Sequence, residues 1–300
     1  MNVHGAQSLA VLFAGFLLAS CATAPERPLE ITTLENITRN QIEEANRAVD
    51  RGDYQGALGL LDAARQLAIS TDKPELLIQE ALSRGSALFY LGHIDEADTV
   101  WNNALAEAET TGNRILASLC KVYMARSRIF RIPEDRRAER EEEAAEVLVL
   151  VHSEMNALKD KRLYTALAWT VIGLAEKECR RYAEAEKALK NSLDIHTRER
   201  HLEQAAYDWY LLASVRSVAG QYTEAQAALK EALNYDRRAE NSYGLGMDWL
   251  AIGDIHTKTG DTILSSAAYR RAALIFRSIN LEADALIAEA KLAQNTDITP

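Results

Sequence analysis

Proline is scarce along this 300-residue chain. Pro25 and Pro28 stand near the amino terminus, Pro74 and Pro133 are isolated, and no other occurs before Pro300. Glycine is sparse as well, at 14 residues. A turn-rich β architecture draws heavily on both, whereas a chain rich in Ala, Leu and Glu with few breakers favours long helices, so an all-α fold is expected. Cysteine is limited to Cys21, Cys120 and Cys179, with no Cys-x-x-Cys pair. The six histidines are scattered, and His196 and His201, five apart, align poorly on one helix, so no metal site is expected. There is no Gly-rich phosphate loop, no Gly-x-Ser-x-Gly turn and no His-Glu-x-x-His. These absences argue against an enzyme and predict neither a catalytic residue nor a cofactor. Positive charge is in deficit, 34 Lys and Arg against 44 Asp and Glu, for a net charge of −10. A chain of that sign is repelled by nucleic acid and by anionic lipid surfaces, so neither is an expected partner.

The amino terminus holds an apolar run of eleven residues, from Leu9 to Ala19. It is too short to span a bilayer and has the length of a signal-peptide core. It ends in Leu18-Ala19-Ser20-Cys21, which resembles the bacterial lipobox. That resemblance implies removal of residues 1–20, acylation of Cys21, and a lipid-anchored protein of the cell envelope. Ala22 after the cysteine, in place of Asp, points to the outer membrane, facing the periplasm. One feature departs from the pattern: Met1 to Ser8 contains no Lys or Arg. An ordinary secretory signal, or a core helix with a chance cysteine, are the alternatives. The stretch 21–33, broken by Pro25 and Pro28, cannot continue a helix and is expected to be a tether.

A repeat of 40 residues organises the rest. Gly52-Asp-Tyr54-x-x-Ala57, Gly92-His-Ile94-x-x-Ala97, Gly220-Gln-Tyr222-x-x-Ala225 and Gly260-Asp-Thr262-x-x-Ser265 share one layout, and Arg180-Arg-Tyr182-x-x-Ala185 is the same with Gly replaced. Upstream of the last three turns, Trp169-x-x-Ile172-Gly173, Trp209-x-x-Leu212-Ala213 and Trp249-x-x-Ile252-Gly253 recur at the same spacing. Residues three and four apart share a helical face, so each bulky side chain stands beside a small residue that lets a second helix approach. The three tryptophans are therefore expected in the core. The pattern resembles the tetratricopeptide repeat (TPR), lengthened from its common 34 residues. It implies a right-handed α-solenoid of about six helix hairpins, over 38–77, 78–117, 118–165, 166–205, 206–245 and 246–280, with a capping helix and tail over 281–300. The third unit is enlarged by eight residues and carries a Glu-rich stretch, Glu139 to Glu146, expected to be a solvated face paired four residues apart. In the repeat register Cys120 and Cys179 are offset by about 11 positions, roughly 16 Å of helix rise. Two buried thiols are expected, rather than a bridge.

Stacked hairpins curve, and the first helices line a concave surface. If the TPR resemblance holds, groove positions follow each Trp and each small Gly or Ala. The first series is Ile42, Leu82, Val122, Thr170, Tyr210 and Leu250, and the second is Asn46, Ser86, Arg126, Leu174, Ser214 and Asp254. Chaperone-binding TPR proteins place Lys and Asn there to clamp a terminal carboxylate, and that clamp is missing from this sequence. With Phe89, Tyr90, Ile129, Phe130, Tyr207 and Met247 added, the candidate groove is Leu82, Phe89, Tyr90, Ile129, Phe130, Thr170, Leu174, Tyr207, Tyr210, Met247 and Leu250. Such a lining, more apolar and aromatic than charged, suits an extended or helical segment of a protein partner. The function expected is an envelope scaffold or adaptor binding an unidentified protein or peptide. The alternatives are a transporter-associated carrier of a small hydrophobic ligand or lipid, burial of these side chains by tight curvature alone, or an enzyme whose polar pocket leaves no motif.

Overall fold

The computed structural model describes residues 33–133 and 135–296. The signal segment 1–20, Cys21 and the tether up to residue 32 lie outside the described residues. Thirteen helices and no strand occur among those that are described. They form six hairpins: α1 (Thr33–Asp50) with α2 (Tyr54–Thr71), α3 (Pro74–Tyr90) with α4 (Ile94–Thr110), α5 (Arg114–Arg131) with α6 (Arg137–Leu158), α7 (Arg162–Glu178) with α8 (Tyr182–Glu199), α9 (Leu202–Val218) with α10 (Tyr222–Ala239), and α11 (Ser242–Lys258) with α12 (Thr262–Ser278). A last helix, α13 (Glu282–Thr296), packs on α12 and covers the end of the row. The chain is an all-α, TPR-like solenoid. Each hairpin begins four or five residues earlier than the units cut from the turn motif, because the first helix reaches back into the preceding connection. None of the described helices is long and apolar enough to cross a membrane.

The recurrent turn works as its residues require. Gly52, Gly92, Gly220 and Gly260 hold φ of 77–83°, the left-handed region in which an L side chain is strained. Arg180 occupies the equivalent turn at φ 58°. Asp53, Asn113, Asn241 and Asp261 accept from backbone amides three residues on and cap the helices they precede.

Within a hairpin the interlock is one of large side chain against missing side chain. A Cβ added at Gly173 would lie 2.6 Å from Leu189, one at Gly253 would lie 2.4 Å from Tyr269, and one at Gly85 would lie 2.1 Å from the indole of Trp101. Trp101 is wholly buried and donates its Nε1–H to the carbonyl of Leu82 over 3.2 Å. Trp169, Trp209 and Trp249 are half-buried, packed against the core rather than enclosed by it. Of the two thiols, Cys120 is buried and Cys179 is partly exposed at the end of α7, and both are free. The Glu-rich face of α6 pairs mainly across the hairpin: Arg128 of α5 binds Glu143 and also Glu146, the latter at 2.6 Å, while Arg140 reaches Glu178 of α7 at 3.1 Å.

Consecutive first helices also pack on one another, α1 on α3, α3 on α5, α5 on α7, α7 on α9 and α9 on α11, which makes them the inner wall. The wall curls far enough to meet itself. Gln204 of α9 donates to Asp50 of α1 over 2.6 Å, and the ring of Tyr54 in α2 stands edge-on to Tyr243 of α11 with centroids 6.3 Å apart. The turn between α1 and α2 thus closes against the amino-terminal ends of α9 and α11.

Candidate functional site: a concave cavity

The curl of the inner wall shapes a half-open cavity of about 880 Å³, lined from all six first helices and from Tyr54 of α2, His196 of α8 and Asp236 of α10. Of the eleven expected groove residues, Leu82, Tyr90, Thr170, Tyr207, Tyr210 and Met247 lie on its wall. The other five do not. Ile129 and Leu174 are in the hydrophobic core, Leu250 packs on the cluster around Phe276, Phe89 sits among Tyr90, Trp101 and Phe130, and Phe130 is exposed at the far end of α5. Phe89 faces the core beside Tyr90, and for Leu174 and Leu250 the reason is superhelical twist. On α1 and α3 the lining runs to the carboxyl ends, at Asp50 and Tyr90, whereas on α9 and α11 it lies near the amino ends, between 203 and 210 and between 243 and 248. A fixed register carried forward by 40 leaves the wall, so Leu174, Ser214 and Asp254 miss it while Asn46, Ser86 and Arg126 stay on it.

Aromatic rings dominate one part of the surface. Tyr54 stacks on Tyr90 at 5.4 Å, and Tyr207 stacks on Tyr210 at 6.3 Å. Burial raises the hydroxyl pKa of Tyr54, Tyr207 and Tyr210 above the ordinary range, so they offer protons as well as ring area. Tyr123 is likewise pushed up to about 12 by burial.

Acidic groups occupy much of the rest, and sequence reasoning missed them because they lie outside the turn and Trp motifs, although Asp208 and Asp248 recur at the 40-residue spacing. His196 Nδ1 lies 2.7 Å from Asp208 Oδ2, and Thr170 and Ser192 complete the buried network, their hydroxyls 2.9 Å apart. Forty residues on, the equivalents of His196 and Asp208 are Asp236 and Asp248, whose carboxyls burial raises well above the usual carboxylate range. Asn241 donates to Asp236 over 2.8 Å. Asp50 is lifted to about 7 by burial and by the neighbouring Glu203. The rings of His196 and His201 lie 6.5 Å apart, and no group of three metal-ligating side chains occurs among the described residues.

No family model matches the chain, and no curated protein matches it by sequence. Solved structures match it in fold. A Rap protein complexed with Competence and Sporulation Factor is 15% identical with a TM-score of 0.58, covering 87% of this chain and 71% of its own. The apo form of RapI is 12% identical with a TM-score of 0.54, over 86% and 70%. BtubC (BKLC) from P. vanneervenii is 16% identical with a TM-score of 0.51, over 83% and 93%. At such identities the likeness is one of architecture, and the fold it supports is a TPR-like all-α solenoid.

Proposed function

We propose that this chain is a membrane-anchored scaffold or adaptor of the bacterial cell envelope, held by an acylated Cys21 and binding a protein or peptide partner inside its concave cavity. The observation that carries the reading is the cavity itself: stacked tyrosines and buried polar groups converge on one space of about 880 Å³, of a size and mixed lining suited to several residues of a bound chain. The similar Rap structure holds a separate factor, which supports a binding role for this architecture. The absence of a recognisable catalytic motif in the sequence supports a non-enzymatic role.

Two experiments test the two halves. Tyr207→Ala with Tyr210→Ala should abolish capture of the partner with little change in melting temperature, since both rings face the cavity; a large fall in stability with capture intact would make the tyrosines structural. Labelled palmitate should be incorporated by the wild type and not by Cys21→Ser, and labelling of both would remove the anchor from Cys21. Narrowing of the cavity at the Asp50–Gln204 contact favours a second reading, a carrier of a small hydrophobic ligand. Native mass spectrometry separates them, a copurified small molecule supporting the carrier.

A further inference from the structure

The joint between a hairpin and the helix that follows it recurs in three versions. Between α8 and α9 it is polar and self-sufficient: the Asp208 carboxylate lies 2.7 Å from His196 Nδ1 and accepts from the Thr170 hydroxyl over 3.3 Å, with Ser192 beside them. Two repeats on, between α12 and α13, the positions of His196 and Asp208 hold Phe276 and Ala288, both wholly buried, so apolar packing alone closes the joint. Between α10 and α11 stands a version that neither pattern explains. His196 becomes Asp236 and Asp208 becomes Asp248, while Thr170 and Ser192 become Tyr210 and Ala232.

Two carboxyls therefore meet where a carboxylate met its donors. Asp236 is 3% exposed and Asp248 is 1% exposed. Asn241 supplies one donor, to Asp236, and Oδ2 of Asp248 is buried and receives no N–H or hydroxyl from the protein. Among the described residues neither carboxyl has an ion-pair partner, and Arg237, the cation that bears on Asp248, is exposed to solvent. Arg126, the buried cation of the cavity, stands among Phe89, Tyr90 and Tyr123 on the side of α3 and α5. Both aspartates line the cavity, as do Glu203 and Asp50, whose charges add to the same acidic wall. Gly244 keeps the approach open, since a Cβ there would lie 2.3 Å from Asp236 Oδ2. Two carboxyls so placed hold a proton between them, which is why both are raised. Buried like charges are costly, and the apolar joint between α12 and α13 shows that the fold closes without them.

We propose that the cavity wall between α10 and α11 is a binding site for an ammonium group, which donates N–H bonds to Asp248 Oδ2 and to the Asp236 carboxylate. The ammonium replaces the shared proton, which leaves to solvent. The carbon skeleton that carries it lies against Tyr210 and Tyr243 on the same wall. The proposal rests on the cavity being the binding site and specifies a charge that enters it, borne by a free amine or by a lysine or amino terminus of a peptide. A quaternary ammonium supplies the charge but leaves Oδ2 without a donor.

Phenethylamine, which joins a ring to a primary ammonium, is the first probe. Phenethyl alcohol removes the charge and phenethyltrimethylammonium removes the N–H donors, each titrated against the full chain by ligand-observed NMR at matched pH and ionic strength. The amine should bind about tenfold tighter than either, since hydrogen bonds to charged groups are the strong ones. Asp248→Asn, which keeps the shape and removes the charge, should erase the preference over the alcohol, and Asp254→Asn, on the same helix but off the cavity wall, should keep it. Equal binding of amine and alcohol by the wild type would overturn the ammonium site and leave the cavity a binding site for uncharged ligands. Tighter binding of the trimethylated amine would overturn N–H donation to the aspartates. No binding of the amine at millimolar concentration would overturn the proposal outright, while partner capture by the tyrosine variants still decides the role of the cavity. Acetyl-lysine methylamide against butylamine separates the sources: tighter binding of the capped lysine supports an ammonium borne by a peptide, and tighter binding of butylamine supports a free amine. The comparison among ligands needs only the wild type, so it stands even if Asp248→Asn fails to fold.

Discussion

At the scale of single residues the fold depends on paired sizes. Positions 45, 85, 125, 173, 213 and 253 are Ala, Gly, Ala, Gly, Ala and Gly, and the aromatic partners Trp101 and Tyr269 stand against the glycines at 85 and 253. Gly85→Ala would drive a methyl into the Trp101 indole at 2.1 Å, a ring that is wholly buried and hydrogen-bonded to Leu82. Overpacking of this kind costs about 1–3 kcal/mol, so chemical denaturation should show a loss in that range with an unchanged denaturant slope. A loss below ~0.5 kcal/mol would mean that the indole can move aside. This pairing was legible in the sequence, since a small residue recurring four positions after a bulky one marks the place where a second helix comes close. The degree of burial was not. Trp169, Trp209 and Trp249 share a motif but lie at the edge of the core, whereas Trp101, on a second helix, is its centre. Sequence spacing fixes a helical face without saying how much protein covers it.

At the scale of elements, the turn joining α1 to α2 has a role that no repeat pattern announces. It supplies Asp50 and Tyr54 to contacts with α9 and α11, which are 154 and 189 residues away in the chain. Burial and Glu203 raise the Asp50 carboxyl to about 7 from an ordinary 3.8, while Gln204, His196 and Arg51 pull the other way. Between those two values the folded chain keeps a proton that the unfolded chain has released, so stability falls as pH rises through the window. Asp50→Asn, which keeps the shape and removes the charge, should therefore flatten this part of the slope. It should melt higher than the wild type above pH 7 and match it near pH 4. Equal melting at both pH values would show that the Asp50 carboxylate remains hydrated and that the contact with α9 is loose. Helix positions themselves followed closely from glycine, proline and turn chemistry: the extra-long third unit and the last helix over 282–296 lie where the breakers place them. The contact between distant elements was hidden because it is set by the sum of small rotations along six hairpins.

At the scale of the whole molecule, the protein is a curled row whose inner wall lines a cavity, the space in which we propose a partner binds. Of the expected groove residues on the wall, Leu82, Thr170 and Tyr210 come from the repeat register, whereas the register's Leu174 and Leu250 leave the wall as the lining drifts from the carboxyl ends of α1 and α3 to the amino ends of α9 and α11. The polar contributors, Arg126, Gln204, Asp50 and the pair Asp236 and Asp248, were illegible as a set because their meaning lies in being buried together. The sharpest measurement places a photo-crosslinking amino acid at Tyr210, on the inner wall, or at Leu274, exposed on α12, and compares the adducts formed in intact cells. A cavity that receives the partner predicts a discrete adduct from position 210 and none from 274. The same adduct from 274, with none from 210, would place the binding surface outside the cavity and contradict a function seated within it.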